Sequence, residues 1–132
     1  MQRALLIFIL LIAICTPWRN AIAETSVEEC LATARGTPGI GLCLGAQHTA
    51  IEKQFEDVTF TAKQDAIRID KDTPSSGVLE KFTKSDESFR AYMRAQCDYI
   101  YARYGQGTGA SNAYVGCENK LMRERIKMFE AK

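Results

Sequence analysis

The chain has 132 residues, about one domain's worth, with 17 Lys+Arg against 16 Asp+Glu. A balance this even lacks the basic field that a nucleic-acid binder or a polybasic membrane anchor needs. With 46% hydrophobic and 25% charged residues, the composition is globular and excludes a disordered chain.

Arg3 gives the N-terminus a positive charge, and Ala4 to Cys15 is an almost unbroken apolar run. Thr16 to Asn20 turns polar around Pro17, and Ala21-Ile22-Ala23 places small residues where a signal peptidase cuts. A run of about 12 residues makes about 18 Å of helix, too short for a hydrocarbon core of about 30 Å. Lipid attachment at Cys15 would want a small residue before it, and Ile14 stands there. The segment 1–23 is therefore expected to be a cleaved secretory signal, and 24–132 a single domain in the periplasm or outside the cell. Removing 23 of 132 residues leaves 109, and because Arg3 and Arg19 leave with the signal, 15 bases then face 16 acids.

Ser26-Val27-Glu28-Glu29 reads as a capping box, with two acids at the positive end of a helix dipole. That helix is expected to be short, stopped by Gly36, Pro38 and Gly39. A second helix follows, because Ile40, Leu44, Ile51, Phe55, Val58 and Ala62 recur at three, four or seven residues. The polar stretch Lys71 to Gly77, with Pro74, is the clearest break. Leu79, Phe82, Phe89, Met93, Cys97, Ile100 and Tyr104 then mark a third helix over about 78–104. Glycines at 105, 107 and 109 make a flexible loop over Gly105 to Ser111, after which Ser111 or Asn112 can cap a last helix. Tyr114, Cys117, Leu121, Met122, Ile126 and Phe129 supply its apolar face, and Arg123, Arg125 and Lys127 suit its C-terminal end. No stretch alternates long enough to be a strand. The fold class expected is all-α: three to four helices in a compact helical-hairpin bundle.

Cys30, Cys43, Cys97 and Cys117 remain after the signal, an even number in an exported chain, and read as two structural disulfides. Four cysteines allow three pairings. The local one, Cys30–Cys43 with Cys97–Cys117, is favoured because each pair straddles an evident turn, and each bond is then worth about 3 kcal/mol. A metal site is not expected: no two cysteines lie two to four residues apart, and His48 is the only histidine. Redox chemistry lacks a Cys-x-x-Cys pair.

Nucleophilic catalysis would need a base beside a nucleophile, and no serine or free cysteine is identifiable beside His48. The acid pairs Glu28/Glu29, Glu56/Asp57 and Asp86/Glu87 are neighbours on helices, pointing about 100° apart, and read as solvated faces and caps. No enzyme, cofactor or metal is expected. More informative is the cluster Tyr92, Tyr99, Tyr101, Tyr104 and Tyr114 around the glycine loop. Tyr101 and Tyr104 read as partly core and Tyr92 and Tyr99 as outward-facing, a composition that protein interfaces favour.

Phe89 to Cys97 (FRAYMRAQC), the loop Gly105 to Ser111, and Cys117 followed by Leu121, Arg123 and Arg125 resemble the LprI-type lysozyme-inhibitor family of small exported bacterial domains. Cys30 and Cys43 match that family's leading cysteine pair. Phe89 stands where the family has tryptophan, and Glu52 to Glu56 replaces its Asp-x-x-Leu-Asn stretch. The resemblance implies a helical envelope protein that binds lysozyme, whose cleft holds two essential carboxylates. Tyr99, Tyr101, Tyr104, Gly105, Gly107, Gly109, Ser111 and Asn112 are the residues expected to meet it, plugging or covering the cleft. Two alternatives use the same features: an immunity or adaptor protein for another envelope partner or toxin, and a structural helical module.

Overall fold

A computed structural model describes residues 27–131. The expected signal at 1–23, with Cys15, and the capping residue Ser26 lie outside the described residues. Among the described residues four helices make up the fold: α1 Val27–Thr33, α2 Gly36–Asp72, α3 Val78–Arg103 and α4 Thr108–Glu130. No described residue is in a strand. The disulfides are Cys30–Cys43 and Cys97–Cys117. The all-α bundle with two local disulfides is thus as the sequence predicts.

Two boundaries differ from expectation. The first break is only Ala34-Arg35, and Pro38 and Gly39 lie inside the first turn of α2 rather than in a turn before it. Proline is tolerated there because the first N–H groups of a helix have no intrahelical partner. The second difference is at the glycine loop. Gly107 precedes α4 directly, no side chain caps that end, and Gly109, Ser111 and Asn112 are helical. The expected seven-residue loop therefore shrinks to the few residues between Arg103 and Thr108.

α4 lies between α2 and α3 and fixes the arrangement. Its hydrogen bonds to α2 join Asn112 to Thr37, Asn119 to Leu44 and to His48, Arg123 to Gln47, and Gln54 to Glu130, each spanning 71–76 residues. A near-constant separation means that α2 and α4 run parallel. α3 is antiparallel to both: Arg90 reaches Glu56 on α2, and the Cys97–Cys117 bond and the Tyr101–Tyr114 ring pair tie it to α4. At the centre, Ile51, Phe55, Met122 and Ile126 are buried together, with Val58, Phe89 and Met93 packed against them. The seam between α2 and α4 continues in polar form. Asn119, 1% exposed, donates from Nδ2 to the Leu44 carbonyl at 3.1 Å, and its Oδ1 lies 2.9 Å from His48 Nδ1. Because Oδ1 can only accept, Nδ1 is the protonated nitrogen of the ring.

Two acid pairs expected to be independent solvated faces converge instead. Glu56 on α2 takes two hydrogen bonds from Arg90, at 2.8 and 3.1 Å, while Asp86 on α3 takes a third at 2.9 Å. Arg90 also lies 4.9 Å over the Phe55 ring. The two carboxylates hold its guanidinium firmly charged, the Glu56 bonds foremost. One guanidinium offsets only one of the two negative charges, and the arrangement is a clasp between helices. The arginines of α4 also do more than face a helix end: Arg125 lies over both Phe89 (5.2 Å) and Phe129 (4.7 Å), and Arg123 bonds Gln47.

At the far end, Asp70 sits in the last turns of α2, the wrong end of its own helix for a negative charge. It is placed for the next helix. Its carboxylate accepts from the Ser76 hydroxyl and from the backbone N–H groups of Val78 and Leu79, the exposed donors that begin α3. These bonds, Ser76's first, hold the carboxyl below its ordinary value of 3.8. A depressed folded-state value means the stabilisation is complete above the ordinary value and is lost as pH falls through the folded one. Asp70→Ala is expected to lower the melting temperature at pH 7 and to flatten its further fall below about pH 4. Thermal melts by circular dichroism across that range check both.

Candidate functional site

The N-terminal end of α2, the C-terminal end of α3, the start of α4, and α1 with its disulfide all meet at one end of the bundle. The tyrosines gather there because α3 and α4 are pinned antiparallel by Cys97–Cys117, which sets Tyr101 opposite Tyr114. Their rings meet edge to face with centroids 6.5 Å apart. Tyr101 is 39% exposed, Tyr99 57% and Tyr104 67%. Tyr104 is thus not a core residue, although its helical spacing places it on the apolar face. It is the C-cap residue, just past the last residue of α3. Tyr92, also outward-facing at 54%, lies further back along α3.

Between α3 and α4 at this end is a shallow cavity of about 340 Å³ lined by Asp98, Tyr101, Ser111, Tyr114 and Val115. Tyr114 is half-buried, and its phenol is pushed above 10.0 by burial first and then by the negative charges of Glu118 and Asp98, offset in part by Arg94. Glu118 continues toward α2, with His48 Nε2 at 4.0 Å. Arg103 lies 5.9 Å over the Tyr99 ring on the outer side of α3. The residues from Tyr104 to Ala113 carry no charge.

Gly105 and Gly107 have φ of +75° and +119°, conformations that a side chain resists. Gly109 is helical, and a Cβ there would point into open space, with no heavy atom within 4 Å. The two glycines at 107 and 109 should therefore respond oppositely. Gly107→Ala is expected to cost about 1–3 kcal/mol, and Gly109→Ala to gain up to about 1 kcal/mol. Guanidinium unfolding of the two variants checks the signs. Ser111 is exposed beside the cavity. Asn112 is committed to the fold: its Nδ2 donates to the Thr37 carbonyl, and its Oδ1 lies where a Cβ on Gly41 would come to 2.9 Å. Sequence reasoning missed Asp98 and Glu118 as neighbours of the tyrosines, and it counted Tyr114 in the cluster without placing it among the residues expected to meet a partner. Their one signal was a shared helical face on α3 and α4, which means nothing until the two helices are set level.

A second concavity lies at the opposite end. α4 finishes opposite Gln54, while α2 and α3 run on as a two-helix hairpin, leaving a groove of about 530 Å³ whose apolar lining includes Val58, Ala62, Ile69, Val78, Phe82 and Phe129. Of its acids, Asp57 pairs with Lys53 and Asp65 with Arg68. Among the described residues no helix is long and apolar enough to cross a membrane.

Residues 28–129 match the family model described as "Lysozyme inhibitor LprI". No curated protein and no solved structure matches the chain.

Proposed function

Because the chain belongs to the LprI lysozyme-inhibitor family, we propose that it binds a lysozyme and blocks it with the end of the bundle that carries Tyr99, Tyr101, Tyr104 and the glycine turn. It acts as a binding protein outside the cell membrane, a location supported by the signal-like segment 1–23 and by the two disulfides. The observation that carries the assignment is the concentration of exposed tyrosine around an uncharged turn at one end. Tyrosine gives a large contact area for two fixed torsions. The turn suits the target as well. A lysozyme cleft holds two carboxylates, which would repel an acidic intruder, whereas Gln106, Thr108, Ser111 and backbone N–H groups bring only neutral hydrogen-bond donors. The acids Asp98 and Glu118 stand to one side, against the basic surface of a lysozyme rather than its acidic floor.

Lysis of a bacterial suspension by c-, g- and i-type lysozymes, with and without the oxidised protein, tests the reading. Dose-dependent protection against at least one type is expected. Tyr104→Ala combined with Tyr99→Ala should weaken it at least tenfold, the scale of an aromatic hot spot. Replacing Gly105 to Gly107 by a linker that preserves both fold and inhibition would overturn the assignment of the turn.

A further inference from the structure

We infer that the cavity lined by Tyr101, Tyr114 and Asp98 is a socket for an arginine side chain of the bound partner. Deepening the reading above, the inference relies on it only for the identity of the protein that supplies the arginine. Three features converge on a planar cation. Two tyrosine rings, packed edge to face against each other, line the cavity, and the quadrupole of an aromatic ring attracts a guanidinium laid on a face that this packing leaves open. The rim carries Asp98, whose carboxylate has no hydrogen bond or ion pair among the described residues and can take the paired donors of a guanidinium. Behind Tyr114, Glu118 adds a second negative charge, and the Tyr114 phenol is held above its ordinary value by burial first and then by Glu118 and Asp98.

The other charged groups around the cavity leave this preference in place. Arg94 partly offsets the field at Tyr114, and Arg103 is drawn to the outer ring of Tyr99 instead. His48 faces Glu118 from the α2 side at 4.0 Å. Ser111 on the α4 wall adds a hydroxyl that can accept a further N–H. An ammonium would satisfy Asp98 but would not lie flat on a ring as a guanidinium does. The basic surface of a lysozyme is a source of such side chains, and the neutral turn beside the socket would then enter the cleft while the arginine anchors its edge.

Two measurements on the oxidised protein, expressed from the full chain, test the proposal separately from the lysozyme reading. In the first, N-acetyl-arginine amide is titrated against the protein while the Tyr101 and Tyr114 ring resonances are followed. N-acetyl-citrulline amide, the neutral near-isostere, serves as the control. Saturable shifts with arginine, at least fivefold weaker with citrulline and at least fivefold weaker in Asp98→Asn, are the expected result. No saturable shift, or equal responses to the two amides, overturns the socket whether or not any lysozyme is inhibited. In the second, Asp98→Asn and Tyr101→Leu are compared with the parent against whichever lysozyme the parent inhibits. Each should weaken inhibition about tenfold, and the Asp98 effect should shrink with added salt. Unchanged inhibition in both variants, with unchanged circular dichroism, overturns the assignment of the arginine to the lysozyme. A parent that inhibits no lysozyme fails the functional reading alone, because the arginine titration still decides the socket.

Discussion

Phe55→Ala is expected to lower the unfolding free energy by about 3–5 kcal/mol, the largest effect of any single substitution in this chain. Phe55 is 1% exposed and sits where all three long helices meet, with Ile51 on its own helix and Met122 and Ile126 on α4. Its ring lies 5.7 Å from that of Phe89 on α3 and under the guanidinium of Arg90. Truncation removes the ring's own transfer free energy and leaves a cavity that three rigid helices cannot collapse to fill. It also takes away the face on which Arg90 rests between Glu56 and Asp86. A domain of this size has about 5–15 kcal/mol in all, so the variant should be marginal at room temperature. Guanidinium unfolding followed at 222 nm gives the number, and Phe55→Leu, which keeps most of the volume, should cost clearly less. A loss under about 1 kcal/mol for the alanine variant would mean that the core is centred elsewhere.

The second large effect is expected from the disulfides, and the two should differ in kind. Cys97→Ala with Cys117→Ala opens a loop spanning 20 residues and should cost about 3 kcal/mol of global stability. Cys97 is fully buried, and the bond is what holds the tyrosine-bearing end of α3 level with the start of α4. Removing it should also loosen the Tyr101–Tyr114 pair and weaken partner binding more than the loss of stability alone predicts. Cys30–Cys43 spans 13 residues and by loop entropy is worth nearly as much. What it tethers, however, is α1, a helix of seven residues, too short to be stable by itself. Cys30→Ala with Cys43→Ala should therefore free α1 and leave the three long helices folded. Amide hydrogen exchange separates the outcomes: protection lost throughout for the first variant, and lost chiefly over 27–45 for the second. Uniform loss in both variants would mean that α1 is an integral part of the bundle.

Much of this architecture was legible in the residues. The three- and four-residue spacing of Ile51, Phe55 and Val58, and of Phe89, Met93 and Cys97, identified helices because a period near 3.6 has no other stable reading. Pro74 and Gly77 marked the break between α2 and α3. Of the three possible cysteine pairings, the structure holds the one favoured by the turns that each pair straddles. Boundaries were less legible. Pro38 reads as a stop, yet a helix can begin on it at no cost in hydrogen bonds. Gly109 to Ser111 reads as loop and Asn112 as a possible cap, yet those residues join α4, where Asn112 donates to the Thr37 carbonyl on α2.

The groups that matter at the candidate site and in the interhelical contacts were hidden for a single reason: they are neighbours only across helices. Asp70 reads as a poorly placed acid until Val78 and Leu79 turn their N–H groups toward it. Glu56 and Asp86 read as separate solvated charges until Arg90 stands between them. Asp98 and Tyr114 lie 16 positions apart in the chain and line one cavity because a disulfide sets their helices level. By itself the sequence determined the helices, through periodicity along the chain, favoured the local pairing of its cysteines, and carried the motifs of the family it resembles. Only the tertiary structure decided which tyrosines face solvent, which carboxylates meet a partner across helices, and which side chains line a common cavity. Those are properties of distances between helices, fixed by packing about Phe55 and by the parallel register of α2 and α4.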